Sequence, residues 1–272
     1  MSIRTTARVV VVGGGVNGVS TLYHLAKKGW TDCVLLERTE LTAGSTWHAA
    51  GLLPLFNMSY SVGQLHQYSV DLYKKLEAET GQAVSMHECG NLRLATNRDR
   101  MDEYRNYKCT AETIGTPCEL IDVEEIKKLW PLINAEGLVG ALWHPTDGHI
   151  APVDVTMAMA KGARDMGAKI HQHTVVATIE RDNNEWIVKW QSYDGSQSGE
   201  IRCEHVVTAS GNYAFETAQK VGLEIPAIPV EHQFIVFDED PVLAEYRAAG
   251  IAELPVLRES DAQYYFREER NG

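Results

Sequence analysis

The sequence predicts an α/β fold: a parallel β–α–β unit with a β-meander, joined to a second, mostly antiparallel sheet whose C-terminal part is missing. Three observations lead there. "RVVVV" (Arg8 to Val12) is an unbroken β-branched run, as a parallel strand buried on both faces requires. It enters Gly13-Gly14-Gly15 and then a helical stretch from Val16 to about Lys28, closed by Gly29 in a C-cap position. After Pro226 the pattern turns β-rich, in "AIPVEHQFIVFDED", "LPVLRE" and "AQYYFREE".

The elements between follow from local signals. "CVLLE" (Cys33 to Glu37) is the second strand, with a right-handed crossover expected. Helices are expected at about Val62–Glu79 and Asp99–Ile114, and another near Val123, where Asp122 and Glu125 have capping-box spacing. "GLVGALW" reads as a strand, and "DGHIAPVD" as a turn feeding a helix that ends by Gly167. "AKIHQHTVVATIER" and "EWIVKWQS" flank Asp182-Asn183-Asn184, a hairpin signal, and "EIRCEHVVTASG" follows. The chain reaches Asn271-Gly272 just after the first arm of an apparent hairpin, so the sequence is expected to continue.

Composition narrows the function. The 272 residues suffice to bury roughly three quarters of the unfolded surface. A formal charge of −12 argues against nucleic acid or an anionic membrane as partner. No apolar run approaches the ~20 residues of a membrane span, and the early first strand leaves no room for a signal peptide. Five scattered cysteines, with no C-x-x-C pair, point to a reducing cytoplasm rather than to disulfides or zinc.

Gly13-x-Gly15-x-x-Gly18 carries the first chemistry. The first glycine permits a tight turn, the second a close approach to pyrophosphate, and the third tight helix–strand packing. Phosphates then sit at the positive helix N-terminus, at Val16 and Asn17. Glu37 closes the second strand nineteen residues past Gly18, where a carboxylate takes a ribose hydroxyl. Strand, turn, helix and acid together predict a Rossmann-like dinucleotide site. "TAGSTWHAAGLL" follows, with small residues around Ser45, Thr46 and Gly51 and one imidazole, His48. A cofactor longer than NAD, laid along this loop, accounts for the missing bulk.

These segments resemble the amine-oxidising flavoproteins of the D-amino-acid-oxidase superfamily, especially the dimethylglycine and sarcosine dehydrogenases. The resemblance rests on "VVVVGGGVNGVSTLYHLAKKG", "LLERTELTAGSTWHAAGL", "LWHPTDGHIAPVD", "VVTASGNYA", "IPVEHQFIVFDE" and "YYFREERNG", in that order. It implies FAD, bonded covalently to His48, with further contacts from Arg38, Val176 and Gly211. It implies an FAD-binding domain of residues 1–85 with 146–221, and substrate-domain segments 86–145 with 222–272. The implied reaction is hydride transfer from an N-methyl amine, such as dimethylglycine or sarcosine, to the flavin. The electrons then go to another flavoprotein or to oxygen, and in larger members tetrahydrofolate captures the product through a domain absent here.

On the substrate side the resemblance pairs His232, expected on a strand, with Tyr265; Tyr264 lies on the opposite face of its strand, so one of the two tyrosines faces the pocket and which one stays open. His171 and His173 in "HQH" face one side of a strand without a third ligand, so no metal site is expected. Asp147 and Gly148 read as a turn. Other substrates, D-amino acids or other secondary amines, stay open. So does a non-catalytic nucleotide-binding fragment or a partner-dependent subunit, and the chain alone is expected to be a poor catalyst.

Overall fold

The computed structural model describes residues 3–238 and 240–269. Along the chain run β1 (Thr6–Val12), α1 (Val16–Lys27), β2 (Cys33–Leu36), α2 (Ser45–His48), β3 (Leu52–Leu53), α3 (Tyr60–Thr80), β4 (Met86–His87) and β5 (Asn91–Ala95). Then come α4 (Arg98–Ile114), β6 (Glu119–Ile121), α5 (Val123–Leu129), β7 (Gly140–His144), β8 (Gly148–Ile150), α6 (Pro152–Asp165), β9 (Lys169–His171) and β10 (Thr174–Asp182). β11 (Glu185–Ser192), β12 (Ser198–Thr208), a 3-10 turn (Gly211–Tyr213), α7 (Ala214–Gln219), α8 (Pro241–Ala248), β13 (Val256–Glu259) and β14 (Tyr264–Phe266) complete it. Two compact units form: residues 1–50, 75–85 and 151–231, and residues 51–74, 86–150 and 232–272.

The first unit is built on a six-stranded sheet of order β10-β11-β12-β1-β2-β9. β1 lies between β2 and β12, parallel to both, which is why its valines are buried on both faces. β12 serves two ladders, antiparallel to β11 from Ser198 to Cys203 and parallel to β1 from Arg202 to Thr208. The core gathers Val10, Val12, Val34, Leu36, Ile179, Val188 and Ile201. α1 packs on α6, where a Cβ on Gly162 would come 2.8 Å from the Tyr23 ring.

In the second unit a five-stranded sheet runs β14-β13-β5-β7-β6, antiparallel except for the β13–β5 pair, beside a small β3-β8-β4 sheet. Alternation sorts the larger sheet into two faces. Leu92, Leu94, Ala141 and Leu257 pack with Ile126 of α5, while Ala95 and Leu142 pack with Tyr104 and Tyr107 of α4. α4 is capped by the Asn97 side chain and ends at left-handed Gly115; Asp122 caps α5 by accepting from the Glu125 N–H.

Three expectations are corrected. "AIPVEHQFIVFDED" forms no strand in its described residues, because no neighbouring strand offers a ladder; Ile228, Val230, Phe234 and Ile235 are exposed. His232 therefore lies on irregular backbone. "HQH" is not one strand face: β9 ends at His171, and His173 takes a left-handed φ of 53°. In "DGHIAPVD" the turn is followed by a strand, β8, before the helix starts. The hairpin arm expected to reach Gly272 is β14, and Arg270, Asn271 and Gly272 lie outside the described residues.

Candidate functional site

In the first unit the glycine turn is a cradle in which side chains have no room. Gly13 has φ +111°, and a Cβ there would lie 2.3 Å from the Ala209 carbonyl oxygen. A Cβ on Gly18 would lie 2.0 Å from the Gly13 oxygen, and one on Gly15 3.1 Å from Thr46 Oγ1. That hydroxyl accepts from the Val16 N–H at 3.0 Å, and Asn17 is exposed in the first turn of α1. Glu37, nearly buried, accepts from the Gly14 N–H at 2.6 Å and the Thr39 N–H at 2.8 Å. The acid read as a ribose ligand thus also ties the turn to the following loop.

The loop after β2 meets the turn after β12. Ser45 Oγ donates to Asn212 Oδ1 at 3.2 Å, and the Arg38 guanidinium lies 4.4 Å from the Tyr213 ring centroid. Gly211 needs its glycine for a φ of +56° rather than for space. Ser210 Oγ is buried with no partner. Val176 packs in the core, so a cofactor contact there would be through backbone, beside the register shift between Val176 and Thr178.

His48 ends α2 exposed to solvent, its ring tilted 43° to that of Trp47 with centroids 4.5 Å apart. Its Nδ1 lies 3.0 Å from the Gly44 carbonyl oxygen. A carbonyl only accepts, so in the neutral ring Nδ1 carries the proton and Nε2 the lone pair. Gly51 has φ +75° in the second unit, and its oxygen accepts from the Ile150 N–H.

The second unit brings His232 over Tyr265, ring centroids 6.3 Å apart and nearly parallel. Tyr265 pairs with Arg258, and Arg258 with Arg93, so these three share a sheet face; Tyr264 pairs with Glu259 on the other. Asp147 is buried and accepts from the Leu55 N–H, while its own carbonyl accepts from the Gly90 N–H. A Cβ on Gly148 would lie 1.8 Å from the His87 oxygen, which accounts for the Asp147-Gly148 turn. Burial pushes Asp147 up to about 7 against the pull of Leu55, Arg93 and Arg258. Burial, then Arg93, pushes His144 down to about 3.

A cluster absent from the sequence reading joins His87, His149 and Glu253, with ligand-type atoms within 4.8 Å of one another. His87 Nδ1 and His149 Nε2 lie 2.8 and 2.7 Å from the two Glu253 oxygens. Arg267 donates to His149 Nδ1 at 3.0 Å. A neutral imidazole has one acceptor nitrogen and Arg267 takes it, so Nε2 carries a proton toward Glu253. The cluster is a hydrogen-bonded clasp. Burial alone would raise Glu253, but the bonds from His149 and His87 hold it at about 2.

Sequence reasoning passed over Asn212, Tyr213, Arg93 and Arg258. The signal was present for the last two: "NLRLA" and "VLRE" each put one arginine inside an apolar strand.

Comparison with known proteins gives the cradle a context. Residues 8–272 match the family described as DAO, FAD dependent oxidoreductase. Mitochondrial dimethylglycine dehydrogenase of Homo sapiens is 42% identical over 98% of this chain and 30% of its own length. Mitochondrial sarcosine dehydrogenase of Homo sapiens is 34% identical over 97% of this chain and 28% of its own. The chain thus spans under a third of these curated relatives. Among solved structures, L-proline dehydrogenase from P. horikoshii superposes with a TM-score of 0.84 at 25% identity, over 99% of this chain and 69% of that one.

Proposed function

We propose, from the premise that this chain belongs to the FAD dependent oxidoreductase family, that the whole protein oxidises an N-methyl amino acid such as dimethylglycine or sarcosine, with FAD tethered at His48. The observation that carries the reading is the exposed His48 ring, its Nδ1 proton held by Gly44 and its Nε2 lone pair free. It sits on a loop joined to the glycine cradle through Ser45 and Thr46. The cradle suits the cofactor: glycines stand where a Cβ would collide, and an unpartnered Ser210 hydroxyl waits beside them.

Gly13, Gly15 and Gly18 would let the pyrophosphate approach the start of α1, where exposed Asn17 presents its backbone N–H and Thr46 Oγ1, which accepts from the Val16 N–H, lies alongside. Glu37 and Arg38 would take the ribose and adenine end, with Val176 and Gly211 at the margin; Gly51 would border the loop's far end. Bound FAD supplies the hydride acceptor and the carbon that receives the tether. The protein's own work on the substrate side is to hold the amine neutral. An imidazole nitrogen of His232 would take the ammonium proton, with Tyr265 stacked on the ring to fix its plane.

Residues 1–85 with 146–221 are read as the FAD-binding domain, and 86–145 with 222–272 as substrate-domain segments. The electron acceptor would be a second flavoprotein or oxygen, and tetrahydrofolate would capture the one-carbon product in a further domain. All five cysteines are free, which fits a reducing compartment such as the cytoplasm; the human relatives are named mitochondrial. Among the described residues no helix is long and apolar enough to cross a membrane.

One experiment tests tether and base together. The full-length protein is acid-precipitated, run on a denaturing gel and viewed for flavin fluorescence, then assayed with dimethylglycine, sarcosine and D-proline. Wild type should fluoresce and prefer the N-methyl amino acids. His48→Ala should lose the fluorescence. His232→Ala should keep it while oxidation falls about 100-fold or more. A dark wild-type band removes the tether, an unchanged His232→Ala rate removes the base, and preference for D-proline moves the substrate class.

A further inference from the structure

β14 is an edge strand of the five-stranded sheet and meets its neighbour β13 at three register positions, Tyr264 to Phe266. Tyr264 and Phe266 are exposed, so little packing holds the strand that carries Tyr265. A ladder this short opens readily unless its ends are tied. Two ties lie just past the strand. Glu268 accepts from the Leu254 N–H at 2.8 Å, which fastens the hairpin to its own approach. Arg267 reaches a different element: one arm of its guanidinium donates to His149 Nδ1 at 3.0 Å, and the other to Glu269 at 2.6 Å.

His149 stands in the middle strand of the small sheet, in register with Leu52 of β3 on one side and His87 of β4 on the other. His149 Nε2 and His87 Nδ1 both donate to Glu253, at 2.7 and 2.8 Å, and the two rings stack 4.6 Å apart at 14°. Every donor in the chain, from Arg267 through His149 and from His87, is thus directed toward one carboxylate, and Glu253 stands just before β13. His149 is 5% exposed, so solvent does not replace a lost partner. Through β8 the clasp holds two segments in one register. One is β3, which starts at Leu52 shortly after His48; the other is the β13–β14 hairpin with Tyr265.

We infer that Arg267, His149 and Glu253 are positioning residues for hydride transfer, fixing the hairpin of Tyr265 against the strand that leaves the tether loop. The inference rests on reading His48 as the tether and His232 with Tyr265 as the amine base. The step breaks one methyl C–H bond of the neutral amine, passes its proton and two electrons together to FAD, and leaves an iminium. None of the three residues handles the proton or the hydride; they act through Tyr265. A misplacement of about an ångström costs such a step on the order of 100-fold, so a clasp that touches no reacting atom can govern its rate.

The test mixes flavin-loaded full-length protein with sarcosine anaerobically and follows bleaching of the flavin by stopped flow. The rate constant is read per bound flavin and does not depend on how much protein folds. Arg267→Gln should lower the limiting rate about 10- to 100-fold, with half-saturating sarcosine changed less than about 3-fold and acid-stable flavin unchanged. Arg267→Lys keeps a donor for His149 Nδ1 and should recover part of the rate. Glu253→Gln should slow bleaching as Arg267→Gln does, and the double variant should be no slower than the slower single one, because both break one chain. Glu253→Gln decides the matter if Arg267→Gln does not fold.

Limiting rates within about 3-fold of wild type in both single variants overturn the clasp's role, as does a loss confined to melting temperature or flavin content. Uptake of one zinc ion per wild-type chain, abolished in Glu253→Gln, also overturns it, in favour of a metal centre on His87, His149 and Glu253. Wild-type flavin bleached by D-proline but by no N-methyl amino acid, at a rate that falls in Arg267→Gln, overturns the substrate reading and leaves the clasp. Acid-labile flavin in the wild type, with the Arg267 dependence intact, overturns the tether and leaves the clasp as well.

Discussion

Folding displaces the pKa values of Asp147 and His144 in opposite directions over overlapping pH ranges. Both are buried, and His144 Nδ1 lies 3.4 Å from the Asp147 carboxylate. Asp147 is raised from 3.8 to about 7, so the folded state holds a proton that the unfolded state has released. Its contribution is full below about pH 4 and lost as pH rises through 7. His144 is lowered from 6.5 to about 3, so its contribution is present above 6.5 and lost as pH falls through 3. The two slopes oppose each other between about 4 and 6.5, each on the order of a few kcal/mol in total. Wild-type stability in denaturant should therefore be nearly flat there. Asp147→Asn should leave stability rising with pH, and His144→Phe should leave it falling. Parallel pH profiles for all three proteins would refute the opposed pair.

Elements built on a single period were readable from the chain; elements that need a partner were not. β1 was legible because four buried valines fit only a strand covered on both faces, and α4 because its length and its glycine stop are local facts. Residues 227–238 carry the same β-forming pattern, yet strand propensity is realised only against a neighbour, and here none pairs with them. The site divides similarly. Gly13, Gly18 and Glu37 were visible through spacing, whereas the Arg93–Arg258 row depends on the register of strands about 165 positions apart, which no local pattern encodes. The unpaired segment leaves Phe234, Ile235, Val236 and Phe237 all more than 60% exposed. A run of this kind is a site for edge pairing and aggregation. Phe234→Lys with Val236→Lys should increase the monomeric fraction of the 272-residue chain in size-exclusion chromatography. An unchanged elution profile would mean that the segment is not what drives association.

At the scale of the whole molecule, the glycine cradle and the His232–Tyr265 pair belong to different compact units. The contacts of the glycine cradle, from Gly13 through Ser45 to Asn212, stay within the first, and the arginine row with His232 and Tyr265 stays within the second. Nucleotide binding and amine turnover should therefore separate by experiment. The adenine half of the cofactor needs only the cradle, a rigid sheet end whose donors are backbone groups. Turnover needs hydride donor and acceptor aligned to about an ångström, and misplacement by that much costs on the order of 100-fold. The 272-residue chain should bind ADP measurably by calorimetry and lose it in Gly15→Val, where the side chain would meet Thr46 Oγ1. Its dimethylglycine oxidation should be at least about 100-fold below that of the full-length protein. ADP binding that survives Gly15→Val would remove the cradle from nucleotide recognition. Full turnover by the shorter chain would mean that the residues described here already align donor and acceptor without the remaining two thirds of the relatives' length.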